Sequence, residues 1–400
     1  MTELPPHMEE SWIGKFLEYA QGFPTPEIFK LWAGISCIMG ALERRVWVRT
    51  AKSILYPNHY IFLVSEPGVG KSIIINQVHD LWASTGLLKL GPNSATKAAM
   101  VDCLNEAQRS YKYKDETIFF HGLQIASREF GTLVHEYNHE VMNFYNDVWD
   151  CPNKLEARLR YGESKNIQID YVQVNMLAGT QPSYLGAILP NNAFGMGFTA
   201  RLLLVYSSTA VRPELFPKND NESEDEKKFK ALSEGLKKVC TLTGPMSFTS
   251  DAKDFLSTWY NANNDAPSHP KLSVYNTRRG VHIQKIAMAL AGSKLKMEIG
   301  KADLEFALAC MLDMEEKIPE IFKGMSNVPT SDVMDELYQF TVNKYMKTKA
   351  PVDKHILVHF LRTKVEVRLI DQIMKHMVSS GLLKIDLLTS PERYIPVPKI

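Results

Sequence analysis

One stretch restricts the fold of this chain more than any other. Tyr60-Ile61-Phe62-Leu63-Val64-Ser65-Glu66-Pro67-Gly68-Val69-Gly70-Lys71-Ser72 is an apolar run that feeds a glycine turn ending in Lys-Ser, with an apolar segment from Ile73 onward. The order reads as buried strand, tight turn and helix, and the turn reads as a phosphate-binding loop. Consecutive backbone N–H groups surround a phosphate only where the backbone turns sharply and comes close to the ligand, and glycine permits both. Gly68 and Gly70 meet that demand. Lys71 is placed to reach the β- and γ-phosphates of ATP as a point charge, and Ser72 to give its hydroxyl to Mg²⁺. The helix starting near Ile73 aims its positive end at the nucleotide. Pro67, Gly68, Val69, Gly70, Lys71, Ser72 and Ile73 are therefore the expected ATP contacts. Where the usual loop opens with glycine, this one opens with Ser65.

The chain has 400 residues, beyond the roughly 250–300 at which one core stops growing, so two or three folding units are expected. Its 46 basic and 45 acidic residues leave a net charge of +1. Such a balance provides no global field for steering nucleic acid, and any DNA contact must be local. The five cysteines, Cys37, Cys103, Cys151, Cys240 and Cys310, lie far apart without the paired spacing of a zinc site or a disulfide framework. That pattern suits a reducing cytoplasm. No apolar run approaches the length of a membrane span, and the start of the chain, with Glu3, Glu9 and Glu10, lacks signal-peptide character.

From Glu9 to Leu42 apolar residues recur at helical spacing, and Pro24 and Pro26 break the run into two helices. Val46-Trp47-Val48 alternates as a strand directed toward the central sheet, with Arg44, Arg45 and Arg49 expected as a solvated charged face. Lys97 to Tyr111 reads as a helix capped by Ser94 or Thr96. Thr117 to Phe120 and Leu123 to Ala126 read as two strands about His121-Gly122, and the second runs into Ser127-Arg128-Glu129-Phe130. An acid just past a buried strand is what an NTPase needs beside Mg²⁺ and the attacking water, which selects Glu129. The alternative is that Glu129 only caps the helix that follows. Because Arg128 stands where a second acid is usual, Ser72, Glu129 and water are left to hold the metal.

Leu155 to Ala178 reads as a hairpin, tipped by Gly162-Glu163-Ser164-Lys165, that feeds a core strand. The strand ends in Gly179-Thr180-Gln181-Pro182 at the carboxyl edge, where ligands of open α/β sheets bind, so Thr180 or Gln181 is expected to sense the γ-phosphate. Next, Gly195-Met196-Gly197-Phe198-Thr199-Ala200-Arg201 leads into a buried strand. An arginine at that threshold is costly unless it meets an anion. In ring-shaped ATPases an arginine so placed reaches across the subunit boundary to the neighbour's γ-phosphate, and an internal salt bridge is the alternative for Arg201. Lys218 to Lys228 reads as a solvated loop and Phe229 to Phe322 as helical. Arg278 or Arg279 either closes over the nucleotide from that region or simply starts a surface helix. Two helices from Asp353 and Val367, followed by two strands, make a winged-helix pattern, mildly basic through Lys364, Arg368, Lys375 and His376.

Six segments in this order resemble phage and mobile-element proteins of the DUF3987 type. They are Ser65 to Ser72, Pro92 to Thr96, Arg128 to Leu133, Trp149 to Pro152, Leu177 to Pro182, and Gly197 to Arg201. Those proteins look like AAA+ replicative helicases or primase-helicase ATPase modules. The similarity covers Leu31 to Tyr206, and the remainder only by order of elements. It implies an α/β fold divided into an N-terminal helical segment (1–50), a P-loop AAA+ ATPase core (51–217), a helical lid (218–345) and a winged-helix domain (346–400). It further implies a hexameric ring that hydrolyses ATP at subunit boundaries, threads a DNA strand through its channel and works with other replication proteins. By that analogy Lys71 and Ser72 hold phosphates and Mg²⁺, Glu129 polarises water, Thr180 or Gln181 is the first sensor and Arg201 is the finger. The hairpin faces the channel, which makes Lys165 and Arg160 the DNA contacts. No primase zinc motif is visible, so a motor without synthesis chemistry is expected. Two other functions are considered: an ATPase switch that loads a helicase or recognises an origin, and a DNA-packaging or defence ATPase, which a nuclease domain would favour, and none is apparent.

Overall fold

Five strands form the sheet that carries the glycine loop. Across it they run Gln108–Tyr113, Glu116–Ser127, Val172–Thr180, Tyr60–Val64 and Leu202–Tyr206. The last four are parallel, and only Gln108–Tyr113 runs against its neighbour. Tyr60–Val64 and Val172–Thr180 are buried along their whole length, as parallel strands covered on both faces must be. The register puts Val64 beside Thr180 and Tyr206, and Ser127 beside Ala178. Four carboxyl ends therefore share one edge, with the glycine loop leaving from its middle. The chain is thus a mixed α/β protein, as expected.

The structure is a computed structural model that describes residues 3–51, 53–134, 139–161, 163–188, 197–212, 222–262, 266–326, 330–362, 364–365, 367–386 and 392–397. Compact units divide between Phe322 and Lys323.

In the first unit, the helix Glu27–Leu42 is buried along nearly all of its length. It packs on the helices Lys71–Ser84 and Arg279–Ser293 and on the sheet. Trp82 ties two of these together by donating its Nε1–H to the Cys37 carbonyl at 3.0 Å. Below them a polar chain crosses the sheet. The buried Glu43 carboxylate accepts from Arg109 and Gln124, Gln124 accepts from Asn175, and Asn175 accepts from the His59 backbone. These paired groups make the layer specific as well as apolar, although Arg109 Nε and His59 Nδ1 are buried without partners.

Several expectations are corrected. Val46–Arg49 does not join the central sheet; it pairs in parallel with Gly244–Phe248 and antiparallel with Ile54–Leu55 in a second, four-stranded sheet. The region after Phe229 is therefore not wholly helical. Gln108–Tyr113 is a strand with strict alternation of exposure, and the preceding helix ends at Glu106. Thr96 is its cap, accepting from the Ala99 N–H. His121-Gly122 is no turn, since Glu116–Ser127 is one strand. A side chain at Gly122 would meet Arg109 at 2.6 Å and Glu43 at 2.8 Å, so this glycine serves close approach. The helix Glu222–Val239 starts inside the charged run expected as a loop. Arg44 and Arg45 are not a solvated face: Arg44 donates to the Cys151 and Val172 carbonyls and Arg45 to those of Cys240 and Ala41. Arg49 alone of the three is exposed.

The second unit contains the helices Thr330–Thr348, Lys354–Arg362 and Val367–Ser379 and a three-stranded antiparallel sheet, ordered Val352–Asp353, Arg393–Pro396, Leu383–Asp386. Leu337, Leu357, Leu361, Ile373, Met377 and Tyr394 belong to its core. Helix Thr330–Thr348, expected in the preceding region, packs here. Lys364 pairs with Glu336 at 3.2 Å, Lys375 and His376 are exposed, and the Arg368 side chain lies outside the described residues.

Candidate functional site

The glycine loop turns as its composition demands. Gly68 and Gly70 have φ of 83° and 89°, in the left-handed region, where a side chain is strained. Gly70 has a second reason to be glycine: a Cβ there would stand 2.1 Å from the Pro24 carbonyl oxygen. Thr25 adds a hydrogen bond, its hydroxyl donating to the Gly70 carbonyl at 2.9 Å. The Pro24-Thr25-Pro26 segment just before the helix Glu27–Leu42 thus braces the loop.

Ser65 keeps an ordinary backbone conformation, outside the positive-φ set, so no glycine is required where the usual motif has one. Its side chain has work instead. Lys71 Nζ donates to Ser65 Oγ at 2.8 Å, to Ser65 O at 2.7 Å and to Glu66 O at 3.1 Å. The ammonium is buried, which lowers its pKa, while the nearby carboxylates of Glu129 and Glu66 act in the opposite direction. Ser72 and Ile73, in the first turn of the helix Lys71–Ser84, are exposed.

Glu129 occupies the N-cap position of the short helix Phe130–Leu133, but its side chain makes no capping bond. That carboxylate is exposed and close enough to act on Lys71. Arg128 is turned away and donates from Nε to Asn76 Oδ1 at 2.8 Å on the loop's own helix. Thr180 ends its strand fully buried, and its hydroxyl has no partner. Its carbonyl accepts from the Ser65 N–H at 3.2 Å. Gln181 follows, half-buried. Lys71, Glu129 and Thr180 therefore converge on one edge of the sheet, beside the amino end of a helix of 14 residues. A lysine among carbonyls, an orphaned buried hydroxyl, an exposed serine and a free carboxylate fit a triphosphate with Mg²⁺. That metal takes most of its ligands from water and phosphate and asks for only one or two from protein. Accordingly, the lack of any cluster of three metal-ligating side chains among the described residues does not disqualify the site.

Arg201 lies at the other end. It immediately precedes Leu202, which pairs with Tyr60 at the start of the loop strand, whereas Tyr206 pairs with Val64 at its finish. The length of the strand, on the order of 15 Å at the usual rise per residue, separates it from the glycine loop. Its Nη2 donates to Asp150 Oδ2 at 2.6 Å and its Nη1 to the Gly197 carbonyl at 2.8 Å, while its buried Nε has no partner. Arg278 shares the Asp150 carboxylate at 3.4 Å. Both guanidinium groups lie near the Trp149 ring, at 5.5 and 4.9 Å, and the Lys285 ammonium at 3.6 Å. Burial pushes Lys285 down to about 7 and His282, which donates to Ala200 O, down to about 3. The internal salt bridge named as the alternative for Arg201 is thus what the structure has, with Arg278 on the same carboxylate, while the Lys285 ammonium donates to Asn58 O and Oδ1.

Arg279 is corrected. Expected over the nucleotide or on the surface, it is buried and makes a two-point ion pair with Glu315, Nε to Oε1 and Nη2 to Oε2, both at 2.8 Å. A buried guanidinium needs such a partner, and this one fixes it within the helical layer. Arg160 and Lys165 fall on the ribbon Lys154–Tyr161 and Glu163–Asp170, where Leu159 pairs with Lys165 and Arg160 with Ser164. Their side chains lie outside the described residues. Sequence reasoning missed Thr25 and Asn76 and gave Asp150, inside the Trp149 to Pro152 segment, no role; their partners are 45, 52 and 51 positions away along the chain.

Comparison with protein-family models and with curated proteins returns no match to this chain. No helix among the described residues is long and apolar enough to cross a membrane.

Proposed function

We propose that this chain is an ATP-dependent DNA helicase of a phage or mobile element, a AAA+ motor that works as a hexameric ring. The observation that carries the reading is the convergence of Lys71, Glu129 and the unpartnered Thr180 hydroxyl at the strand edge from which the two left-handed glycines turn. The loop strand lies between Val172–Thr180 and Leu202–Tyr206, so the loop leaves from the carboxyl edge where open α/β sheets bind ligands, which supports a nucleotide site.

In this reading Pro67 to Ile73 wrap the phosphates, and Lys71 exchanges its loop carbonyls for phosphate oxygens. When bound, Mg²⁺ would supply charge neutralisation for the phosphates, and Ser72 and Glu129 are the residues that would hold it. Glu129 orients the attacking water, and Thr180, with Gln181 behind it, detects the terminal phosphate. Arg201 stands too far from its own loop for that chemistry and serves the neighbouring copy, stabilising charge that appears only in the transition state. Arg160 and Lys165 on the ribbon contact the DNA backbone.

The test is strand separation by the purified protein on a forked duplex. ATP-dependent unwinding is expected, and Lys71→Ala is expected to abolish both nucleotide binding and unwinding. Turnover without unwinding unless a second helicase is added would favour a loader or origin-binding switch. The separately packed second unit, with two helices followed by antiparallel strands, gives that alternative its specific support as a winged helix.

A further inference from the structure

A groove of about 700 Å³ opens at the amino edge of the parallel strands, at the foot of the ribbon. Its walls come from Val46–Arg49, from the first half of Glu116–Ser127 and from Tyr171 at the entry to the next strand. We propose that this groove takes unstacked bases of single-stranded DNA. The inference rests on the reading of the chain as a DNA-acting protein and places the contact in a surface that reading does not use.

Two large rings are left in water at the mouth: Phe119 is 56% and Tyr171 43% exposed. Tyr171 is held at φ 53°, a conformation that bulky residues rarely adopt and that clusters at functional sites. Inside, the Arg44 guanidinium lies 4.3 Å from the Tyr56 ring centre and 5.3 Å from that of Tyr171, so flat cationic and aromatic faces already alternate. Every base has a π-face, which makes such an array tolerant of sequence. The wall also contains Trp47, nine-tenths buried, whose indole N–H has no partner.

Charge decides how the strand lies. Glu116 and Asp170, both exposed, line the mouth with Arg49, and the buried Arg44 lies inside, so the two acids are balanced by two arginines and no phosphate-binding field is concentrated in the groove. Carboxylates instead accept from exocyclic amines, and the amides of Asn105 and Gln108 can donate or accept. Arg49, exposed at the rim, is left for a phosphate. Gln168 and Asp170 belong to the ribbon, which joins the groove to the segment bearing Arg160 and Lys165.

The experiment is anisotropy titration of labelled single-stranded DNA without nucleotide, over a series of salt concentrations. Phe119→Ala and Tyr171→Asn, the latter tolerant of the left-handed backbone, are each expected to weaken binding about tenfold, as loss of a stacking platform does, with the salt slope unchanged. Arg49→Ala is expected to lower that slope by about one. An oligonucleotide with abasic sites should bind the wild-type protein as weakly as the intact strand binds Phe119→Ala, an arm that needs no variant to fold. Wild-type affinity in both aromatic variants, equal affinity for abasic and intact strands, or no single-strand binding at all would overturn the proposal. Failure here is separable from failure of the motor: groove-dependent binding without ATP hydrolysis keeps this inference and removes the helicase, and turnover with unaffected groove variants does the reverse.

Discussion

Asp150 is the residue on which the arginine side of the account turns. Its carboxylate is half-exposed, yet it holds the nearly buried Arg201 at 2.6 Å and shares Arg278. Asp150→Ala leaves Arg201 and Arg278 without the carboxylate that both pair with, and a charged hydrogen bond of this kind contributes about 1.5–3 kcal/mol. A loss of that size in urea unfolding is expected for Asp150→Ala, and unchanged stability would mean that the pair holds nothing. Single residues also mark what the sequence could and could not disclose. Gly68, Gly70, Lys71 and Ser72 were legible because the loop's chemistry is local, each residue type required within one turn of chain. Arg279 was misread because its partner, Glu315, is 36 positions away. Nothing local distinguishes a guanidinium that will be buried against a carboxylate from one that meets solvent or phosphate.

At the scale of elements, the loop is held from outside as well as by its own glycines. The interruption of the helical run at Pro24-Thr25-Pro26 puts a carbonyl and a hydroxyl against Gly70. Gly70→Ala therefore meets two penalties, a strained positive φ of about 1–3 kcal/mol and a contact with backbone that cannot give way. The expected outcome is a lowered melting temperature together with loss of nucleotide binding, while Gly22→Ala, with open space around it, leaves both near wild type. Equal behaviour of the two variants would contradict the brace. Strand periodicity was legible where burial is two-sided, as in Tyr60–Val64 and Val172–Thr180. It failed where glycine had two meanings, for Gly122 is in a strand because Arg109 and Glu43 need its space. Pairing of Val46–Arg49 with Gly244–Phe248 spans almost two hundred residues, and no local pattern reports it.

For the whole molecule, the ends of one sheet carry different halves of the proposed chemistry. Lys71, Glu129 and Thr180 sit at the carboxyl edge, and Arg201 sits at the amino end of the neighbouring strand. In the proposed reading a protomer does not complete its own site, and the central claim is that adjacent copies complete one another's. Mixing tests it most directly. Lys71→Ala and Arg201→Ala are each expected to be nearly inactive in ATP turnover, with Arg201→Ala still binding nucleotide. Combined in equal amounts in the presence of DNA, they are expected to regain a substantial fraction of wild-type turnover, since some boundaries then join an intact lysine to an intact arginine. A mixture no more active than its two components would contradict the account.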